Sequence, residues 1–372
     1  MNVFDCIICG SGISGNYAAY SLSKSLIKNW RNILLIDSRS LQERQASQKN
    51  LSFWSKDTFP FGESAEKTWN KISLHTAESS ITADLNDYRY YSITEGALQK
   101  RMWEVLKENR NLCFKKEHIV DISNEKNGGS VKTEKQTYYG KYIFDSVSVP
   151  DCNGTKIRMQ GKSWRIRFAK PVFDSSTVTF MDFRTLDTKE LMFFYILPLN
   201  HTNAIIEVAH FAPAKAKKQN YEELLHRYLS SVYPEKIYTC KENIDTKSSY
   251  SMAIPKSRKN GHIVRIGRAA GLVKPTSGFG VIKIFRDTDK LVYALKNDLP
   301  MPRVYAGIPY WLSDICMSFM ISHKGIDSSF FISLFEKYSA DMILSFLNEE
   351  ASPDDLSHLI NVPASLFFTR NH

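Results

Sequence analysis

The chain has 372 residues, 43% of them hydrophobic and 24% charged, the proportions of an ordinary globular protein, which exclude a disordered or fibrous one. Its 49 Lys and Arg outnumber 39 Asp and Glu, for a net charge of +10. At about 150 residues per domain the length predicts two domains, and no apolar run approaches the ~18 residues of a spanning helix, which excludes an integral helical membrane protein but not a peripheral one.

Val3–Cys9 is apolar apart from Asp5, as expected of a strand buried on both faces. Gly10-Ser11-Gly12-Ile13-Ser14-Gly15 follows at once. Tyr17–Leu26 then reads as a helix and Asn32–Ile36 as a second strand, closed by Asp37 roughly 20 residues beyond the last glycine. The sum is a βαβ unit with GxGxxG at its first turn. Gly10 makes the tight turn, Gly12 admits a pyrophosphate close to the backbone, and Gly15 permits close helix–strand packing. The helix N-terminus offers free N–H groups and partial positive charge to phosphates, and Asp37 offers a carboxylate to ribose hydroxyls. A dinucleotide-binding domain is therefore expected.

A polar stretch to Asn50 leads into a region dense in aromatics, with Phe53, Trp54, Phe59, Phe61, Trp69, Tyr88, Tyr90 and Tyr91. Ala97–Glu108 is a predicted helix. Cys113–Lys116, Ile119–Ile122 and Tyr142–Ser146 are predicted strands, with a turn signal at Asn127-Gly128-Gly129. From Ser163 to His210 the pattern alternates as in an antiparallel sheet, through Trp164–Phe168, Val178–Phe183, Leu191–Leu197 and Ala204–Phe211. Tyr221–Val232 is an amphipathic helix. His262–Gly267 reads as a strand entering a second glycine-rich turn, Gly267-Arg268-Ala269-Ala270-Gly271, with Pro275, Gly278 and Gly280 beyond it and a helix from Val281. The dinucleotide domain thus resumes after an inserted sheet. Residues 1–48, 96–162 and 245–298 are assigned to it, 49–95 and 163–244 to a substrate domain, and 299–372 to a helical C-terminal region.

Six cysteines are too sparse for a disulfide framework. Cys6 and Cys9 have CxxC spacing, but on a strand residues three apart point to opposite faces, so two buried small side chains are expected rather than a redox pair. The start MNVFDCIICG lacks the charged and apolar regions of a signal peptide, which favours a cytoplasmic location. The densest basic run holds Lys215, Lys217 and Lys218. No zinc-ligand spacing, helix-turn-helix or RNA-binding signature accompanies it. Nucleic acid is therefore not expected as a partner, nor a metal as a cofactor. A solvated face and attraction to an anionic membrane remain for the excess charge.

With these elements in place, the chain resembles the lycopene cyclase family, in particular the bacterial β-cyclases, along nearly its whole length. The resemblance rests on Asp5–Gly15, Ile33–Asp37, Phe53-Trp54, Tyr88-Arg89-Tyr90, Phe144-Asp145-Ser146, Pro171–Asp174 and Met181–Thr185. It continues through Leu197-Pro198-Leu199 with Ile205-Ile206-Glu207, Arg265–Gly271 with Lys274-Pro275, Glu349–Pro353 and Phe367-Phe368. Departures mark a divergent member. Asn50 and Leu51 stand where the family has threonine and tryptophan, Val147 where it has arginine, and Val208 where an acid commonly follows the glutamate. Arg268, Ala270 and Phe279 replace threonine, glycine and tyrosine in the second turn.

The resemblance implies an α/β plus β fold. An FAD-binding Rossmann-like domain of the glutathione reductase and aromatic hydroxylase kind carries an inserted, mainly antiparallel substrate sheet and a helical C-terminal region. It implies redox-neutral cyclisation of a polyene or isoprenoid end group, as of lycopene. A general acid protonates a terminal alkene, a neighbouring double bond attacks the cation, and a proton is lost. Reduced FAD is required but not consumed, with NADPH as reductant. The residues expected to hold the cofactor are Gly10, Ser11, Gly12, Ile13, Ser14, Gly15, Asp37, Ile119, Gly267, Arg268, Gly271, Pro275 and Gly278. Arg268 stands where flavin hydroxylases carry an aspartate, and pairs with the pyrophosphate or points to solvent. A helix starting near Gly280 would aim its positive end at the flavin and favour an anionic reduced ring.

Such chemistry needs a carboxylic acid kept protonated by an apolar pocket, a π-rich or negative surface for the cation, and an apolar tunnel. Glu207, in Ala204–Ala209, is the first candidate acid, against a paired buried glutamate or an edge-strand charge. Asp182 is the second, against a structural salt bridge with Arg184. His210 points to the face opposite Glu207 and is expected to be structural. Phe53, Trp54, Trp69, Tyr90, Phe183, Phe193, Phe194 and Tyr195 are candidates to line the cavity. The alternative activity is a flavin-dependent oxidoreductase, a monooxygenase or prenyl-chain reductase, acting on a hydrophobic substrate. A lipid-soluble substrate together with the positive charge places the protein peripherally on the inner face of the cell membrane.

Overall fold

The computed structural model describes residues 3–25, 30–56, 59–148, 157–186, 188, 190–213, 216, 219–234, 237–241, 248–251, 257–274, 278–304 and 328–358. Pro275, the lysines Lys215, Lys217 and Lys218, and the tail residues Phe367 and Phe368 lie outside them.

Strand β1 (Val3–Cys9) is followed by helix α1 (Ile13–Ser25), β2 (Ile33–Asp37) and the short α2 (Leu41–Gln45). β1 lies between β2 and a later strand, and is parallel to both. Alternation along β1 and β2 explains their continuous apolar runs. Cys6, Ile8, Ile33 and Leu35 enter the core shared with α1, while Ile7, Cys9, Leu34 and Ile36 enter a second core on the other face. Cys6 and Cys9 therefore point apart, and burial pushes both thiols up.

The chain continues through β3 (Asn50–Ser55), β4 (Lys67–Trp69), β5 (Lys71–His75), β6 (Ser80–Asp84) and β7 (Arg89–Thr94), then α3 (Glu95–Leu106), whose N-cap Thr94 accepts from the Ala97 N–H. β8 (Leu112–Lys116) pairs with β2. β9 (Ile119–Glu125), β10 (Gly128–Thr133) and β11 (Thr137–Asp145) form an antiparallel meander that returns β11 alongside β1.

β12 (Ile157–Phe168), β13 (Val178–Asp182), β14 (Leu191–Pro198) and β15 (Asn203–Pro213) build a second sheet, covered on one face by α4 (Tyr221–Val232). β16 (Tyr238–Lys241) and β17 (Ser248–Ser251) extend it along β12, and β5 and β6 continue its other edge. The chain re-enters the first sheet through β18 (Lys259–Asn260) and β19 (Ile263–Arg265), which lies parallel to β11, and then forms α5 (Val281–Lys296).

The chain leaves the first sheet after β11 and re-enters it at β18 and β19. β12 is one uninterrupted strand whose first half already pairs with β15 and β17, so the substrate sheet begins before residue 163 and runs past 245. The 49–95 segment also divides. β5 and β6 join the large sheet, while β3, β7 and β4 form a separate three-stranded sheet. That small sheet is a wall between two cores. Phe53, Tyr91 and Ile93 face the dinucleotide core, and Trp54 and Tyr90 face the inner side of the substrate sheet.

Helices Ser328–Lys337 and Ala340–Leu347 close the inner side, through Phe331, Phe335, Ile343 and Leu344. Trp54 Nε1 donates to the Leu344 carbonyl (3.0 Å) and Asn348 Nδ2 to the Trp54 carbonyl (3.3 Å). The Asp341 carboxylate accepts from the backbone N–H groups of Asn86, Asp87 and Tyr88. Trp54→Phe should remove one buried tie to the last helix and lower the unfolding free energy by about 1–3 kcal/mol, measured by denaturant titration.

Candidate functional site

The first glycine turn lies at the carboxyl end of β1, where the strand order reverses and α/β sheets open a crevice. Gly10 has φ +91°, and a Cβ there would sit 2.6 Å from Ser146 Oγ and 2.7 Å from Val147. A Cβ on Gly15 would lie 1.8 Å from the Gly10 carbonyl oxygen. α1 has no acid in its first turn to neutralise its positive end. Asp37 accepts from the Ser11 N–H (2.6 Å), the Arg39 N–H (2.8 Å) and Arg44 Nη2 (2.5 Å), so this carboxylate pins the loop.

Arg44 is set in place by local sequence. Ser40 and Glu43 form a reciprocal capping box that fixes α2, and α2 lays the Arg44 guanidinium beside Gly12, 3.9 Å from where a Cβ would stand. Gln99 of α3 donates to the Ser11 carbonyl (3.1 Å). Around this loop the buried Ser11 Oγ, Arg44 Nε, Gln99 Oε1 and the Asn16 amide find no hydrogen-bond partner among the described residues. A glycine-only approach, a positive helix end, an arginine and unsatisfied polar groups fit a dinucleotide pyrophosphate. Ile119, at the start of β9, packs into the apolar layer under β1 and β2.

The second glycine turn presses against the first. Gly267 has φ +57°, and a Cβ on it would lie 1.8 Å from Ser14 Oγ. Gly271 closes the turn at φ +75° and is buried. Arg268 is exposed on it. α5 starts at Gly280 with no side-chain cap and no acid in its first turn, leaving its positive end open. Lys274 is buried, donates to the Leu347 carbonyl, and is pulled down to about 7 chiefly by burial. Lys283 pairs with Glu349 (2.8 Å), and Arg286 with Glu350, which also accepts from Tyr88 OH (2.7 Å). These contacts lock the C-terminal segment onto the second turn.

The substrate sheet presents two carboxylates on opposite faces. Register places Ser163, Glu207 and Tyr195 side by side on the inner face of β12, β15 and β14, and Asp182, Phe194 and Val208 on the outer face. Asp182 is fully buried and saturated. Arg184 binds it through Nη2 (2.6 Å) and Nε (3.1 Å), and Tyr228 OH donates to it (2.7 Å). It ties α4 to the sheet and takes no place beside Glu207. His210 is likewise on the outer face, held by Glu190 (3.0 Å) and Tyr221 OH (2.9 Å).

Glu207 is different. Among the described residues nothing donates a hydrogen bond to its carboxyl, and burial pushes it up to about 7 against a smaller opposing pull from Lys49. Yet its side chain keeps part of its surface accessible. It lies on the inner face of the sheet, beside the aromatic cluster packed there. Gly161 on the adjoining strand has no space for a Cβ, which would stand 2.4 Å from the Val208 carbonyl oxygen and 3.4 Å from Glu207 Oε1. The wall runs from Tyr195 to Tyr90, whose hydroxyls bond each other, then to Trp54 and to Phe279 of the second glycine turn, whose rings pack at 4.6 Å. Met159, on the same face of β12, is 3.5 Å from a Cβ on Gly278. The acid and the second turn thus border one space. Of the candidate lining aromatics, Trp54, Trp69, Tyr90, Phe183, Phe193 and Tyr195 belong to this side, whereas Phe53 faces the dinucleotide core and Phe194 stacks on Tyr228 outside it (4.0 Å).

Residues 5–364 match the family described as lycopene cyclase protein. The chain belongs to the lycopene cyclase family. No protein of curated function matches it by sequence. Among solved structures it is similar to a flavoprotein/dehydrogenase from Cytophaga hutchinsonii, at 10% identity and TM-score 0.65, covering 98% of this chain and 100% of that one. A geranylgeranyl bacteriochlorophyll reductase-like protein from Thermoplasma acidophilum matches at 11% identity and TM-score 0.63, covering 97% and 100%. A probable FAD-dependent monooxygenase from Pseudomonas aeruginosa matches at 12% identity and TM-score 0.58, covering 90% and 100%. At such identities the likeness is one of fold, and it confirms the Rossmann-like architecture with an inserted sheet.

For this family member the sequence reading missed Arg44, Gln99, Lys49 and Ser52. Arg44 sits in a helix too short to show periodicity, and its capping box was the available signal. The other three reach the site only through tertiary contact. Gly267→Ala should cost about 2–5 kcal/mol of stability, from the left-handed backbone and the clash with Ser14 together, read by thermal or denaturant unfolding.

Proposed function

We propose that this chain is an FAD-dependent enzyme that cyclises a polyene or isoprenoid end group without net oxidation, with Glu207 as the general acid. The observation that carries this reading is a carboxyl that no described residue hydrogen-bonds, raised to about 7 by burial, on the sheet face that packs against Trp54, Tyr90, Tyr195 and Phe279, which in this reading becomes the substrate chamber. A carboxyl with that value is protonated in much of the population at neutral pH and can give its proton to an alkene. The aromatic walls offer π-faces to the resulting cation, and the chamber excludes water that would trap it. The carboxylate left on Glu207 supplies a negative charge beside the cation and can take back a proton when the ring is fixed.

The first glycine turn and α1 would hold the FAD pyrophosphate, Asp37 the ribose, and the second turn with the open end of α5 the flavin ring. In its reduced anionic form, kept so by NADPH or another donor, bound FAD would supply an electron-rich surface next to the chamber. Asp182 and His210 take no part, because their partners on the outer face already satisfy them.

The test uses lycopene with dithionite-reduced FAD under anaerobic conditions. A product of unchanged mass is expected, and Glu207→Gln should lower its rate at least a hundredfold while flavin is retained. The rate should fall tenfold per pH unit above about 7, where Glu207 loses its proton. Stability should follow the same group. Its raised value means the folded state binds more protons than the unfolded one between about 4.5 and 7, so stability declines across that interval as pH rises. Stoichiometric consumption of NADPH or oxygen with a change in mass would instead establish an oxidoreductase.

The net charge of +10 and a lipid-soluble substrate support peripheral attachment to an anionic membrane on the cytoplasmic side. No helix among the described residues is long and apolar enough to cross one. Co-sedimentation with liposomes should rise with their anionic lipid content and fall with salt. Binding indifferent to both would return the charge to a solvated surface.

A further inference from the structure

We propose that Lys274 is the proton partner of the flavin: buried behind the second glycine turn without a carboxylate of its own, it takes up a proton when the cofactor held there is reduced to its anion, and gives it back on reoxidation. This rests on the placement of the flavin at the second turn in the preceding reading. It adds a residue that acts through the cofactor, by setting its reduction potential.

Lys274 stands between the second turn and α5. Its N–H donates to the Phe279 carbonyl (3.0 Å) and its carbonyl accepts from the Gly278 N–H (2.9 Å), which closes the loop leading into the uncapped start of α5. The residue is only 2% exposed. An ammonium has three donors to place. Among the described residues this one makes a single hydrogen bond, to the Leu347 carbonyl at the end of the last helix. The charges that face it are committed to one another. From α5, Lys283 pairs with Glu349 (2.8 Å) and Arg286 with Glu350. Tyr88, just before β7, donates to Glu350 (2.7 Å), and Lys56 lies over the Tyr88 ring (5.3 Å). Asp287, the nearest acid of α5, is bound by both terminal nitrogens of Arg258. Three cations, Lys274, Lys283 and Arg286, thus meet the two carboxylates of the C-terminal segment, and the cation left over is the most deeply buried.

A buried ammonium without a counter-ion must lose its proton or gain a negative neighbour. Burial pulls Lys274 down to about 7, and Lys283 and Arg286 push the same way against Glu349 and Glu350. Tyr88 is pushed up by burial and stays a neutral donor. Near neutral pH Lys274 therefore divides between its two forms, and a negative charge arriving at the turn tips it to the ammonium. Reduction supplies that charge. Two electrons from the reductant and one proton convert the oxidised flavin to the reduced anion. A second proton, from solvent, goes to Lys274 Nζ. The site gains two electrons and two protons, and its net charge is unchanged. A neutral amide would hold the Leu347 carbonyl as well, so a structural role alone does not call for a lysine here.

The test is an anaerobic redox titration of the full-length, flavin-loaded protein, read by flavin absorbance against dyes of known potential, from about pH 5.5 to about pH 8.5. For a two-electron couple each proton taken up contributes about 30 mV per pH unit. Below about pH 7 Lys274 is protonated in both states, so the potential should fall by about 30 mV per unit. Above it reduction charges Lys274, and the fall should steepen to about 60 mV per unit. Lys274→Met, similar in length and uncharged, should keep the shallow slope throughout. Its potential at about pH 6 should lie at least about 30 mV below the wild type, a tenfold change in the equilibrium constant. Lys274→Arg, charged throughout, should also show the shallow slope, but at or above the wild-type potential. A lost structural contact would lower stability in these variants without removing the steep limb. A wild-type slope that does not steepen, or a steep limb that survives in Lys274→Met, overturns the assignment. Purified protein that holds no FAD overturns it together with the flavin reading. The two readings otherwise fail separately. Cyclisation of lycopene with a uniform slope would remove the role of Lys274 and leave the cyclase, whereas a steepening slope without cyclisation would do the reverse.

Discussion

The architecture depends on how closely two glycine turns approach one another. The first turn must bend so tightly that Gly15 meets the Gly10 carbonyl, and the second must press Gly267 onto Ser14. Neither contact leaves space for a Cβ. Because they hold, the two turns that follow the parallel strands β1 and β19 are packed on each other, and α1 and α5 follow from them. Asp145 reinforces the junction. Its side chain accepts from the Val147 and Ser148 N–H groups, its carbonyl accepts from Ile266, and Ser146 Oγ donates to the Cys9 carbonyl. The Phe-Asp-Ser motif is thus a brace between the two glycine turns.

From that junction the small sheet of β3, β7 and β4 separates two environments. Alternation sends Phe53 and Tyr91 into the dinucleotide core, and Trp54 and Tyr90 toward the substrate sheet. The substrate sheet repeats the device with charge. Asp182 and Glu207 lie in one hydrophobic sheet, on strands separated by β14, yet one is neutralised by Arg184 and Tyr228 on the outer face and the other, on the inner face, receives no hydrogen bond from the described residues. Which face a residue occupies therefore decides whether a buried acid is ion-paired or held towards its protonated form.

The C-terminal segment is tied to α5 and the second glycine turn. Glu349 and Glu350 meet Lys283 and Arg286 from α5, and Lys274 binds the last carbonyl of the helix before them. Glu349 adopts φ +56°, a conformation that costs energy in a residue with a side chain and is sustained here by its ion pair. The second glycine turn, the roof of the chamber and the tail are in this way one charge-coupled unit.

Much of this was legible in the chain itself. The GxGxxG turn between a two-face apolar strand and a helix, the acid at Asp37, the alternating strands and the resumption at Gly267 are local patterns. Local sterics dictate them, so the sequence determined the Rossmann-like domain, the inserted sheet and the opposite orientations of Glu207 and His210. Other properties were decided only by tertiary packing. β12 runs through the expected domain border because its partners β15 and β17 are remote in sequence. The choice between Glu207 and Asp182 required knowing which one Arg184 and Tyr228 would reach. Lys49, Tyr90 and Tyr195 come from one loop and two separate strands, and nothing in their spacing predicts that they act on Glu207. Backbone geometry is written residue by residue, whereas the state of a buried acid is set by whatever the fold brings within a few ångströms of it.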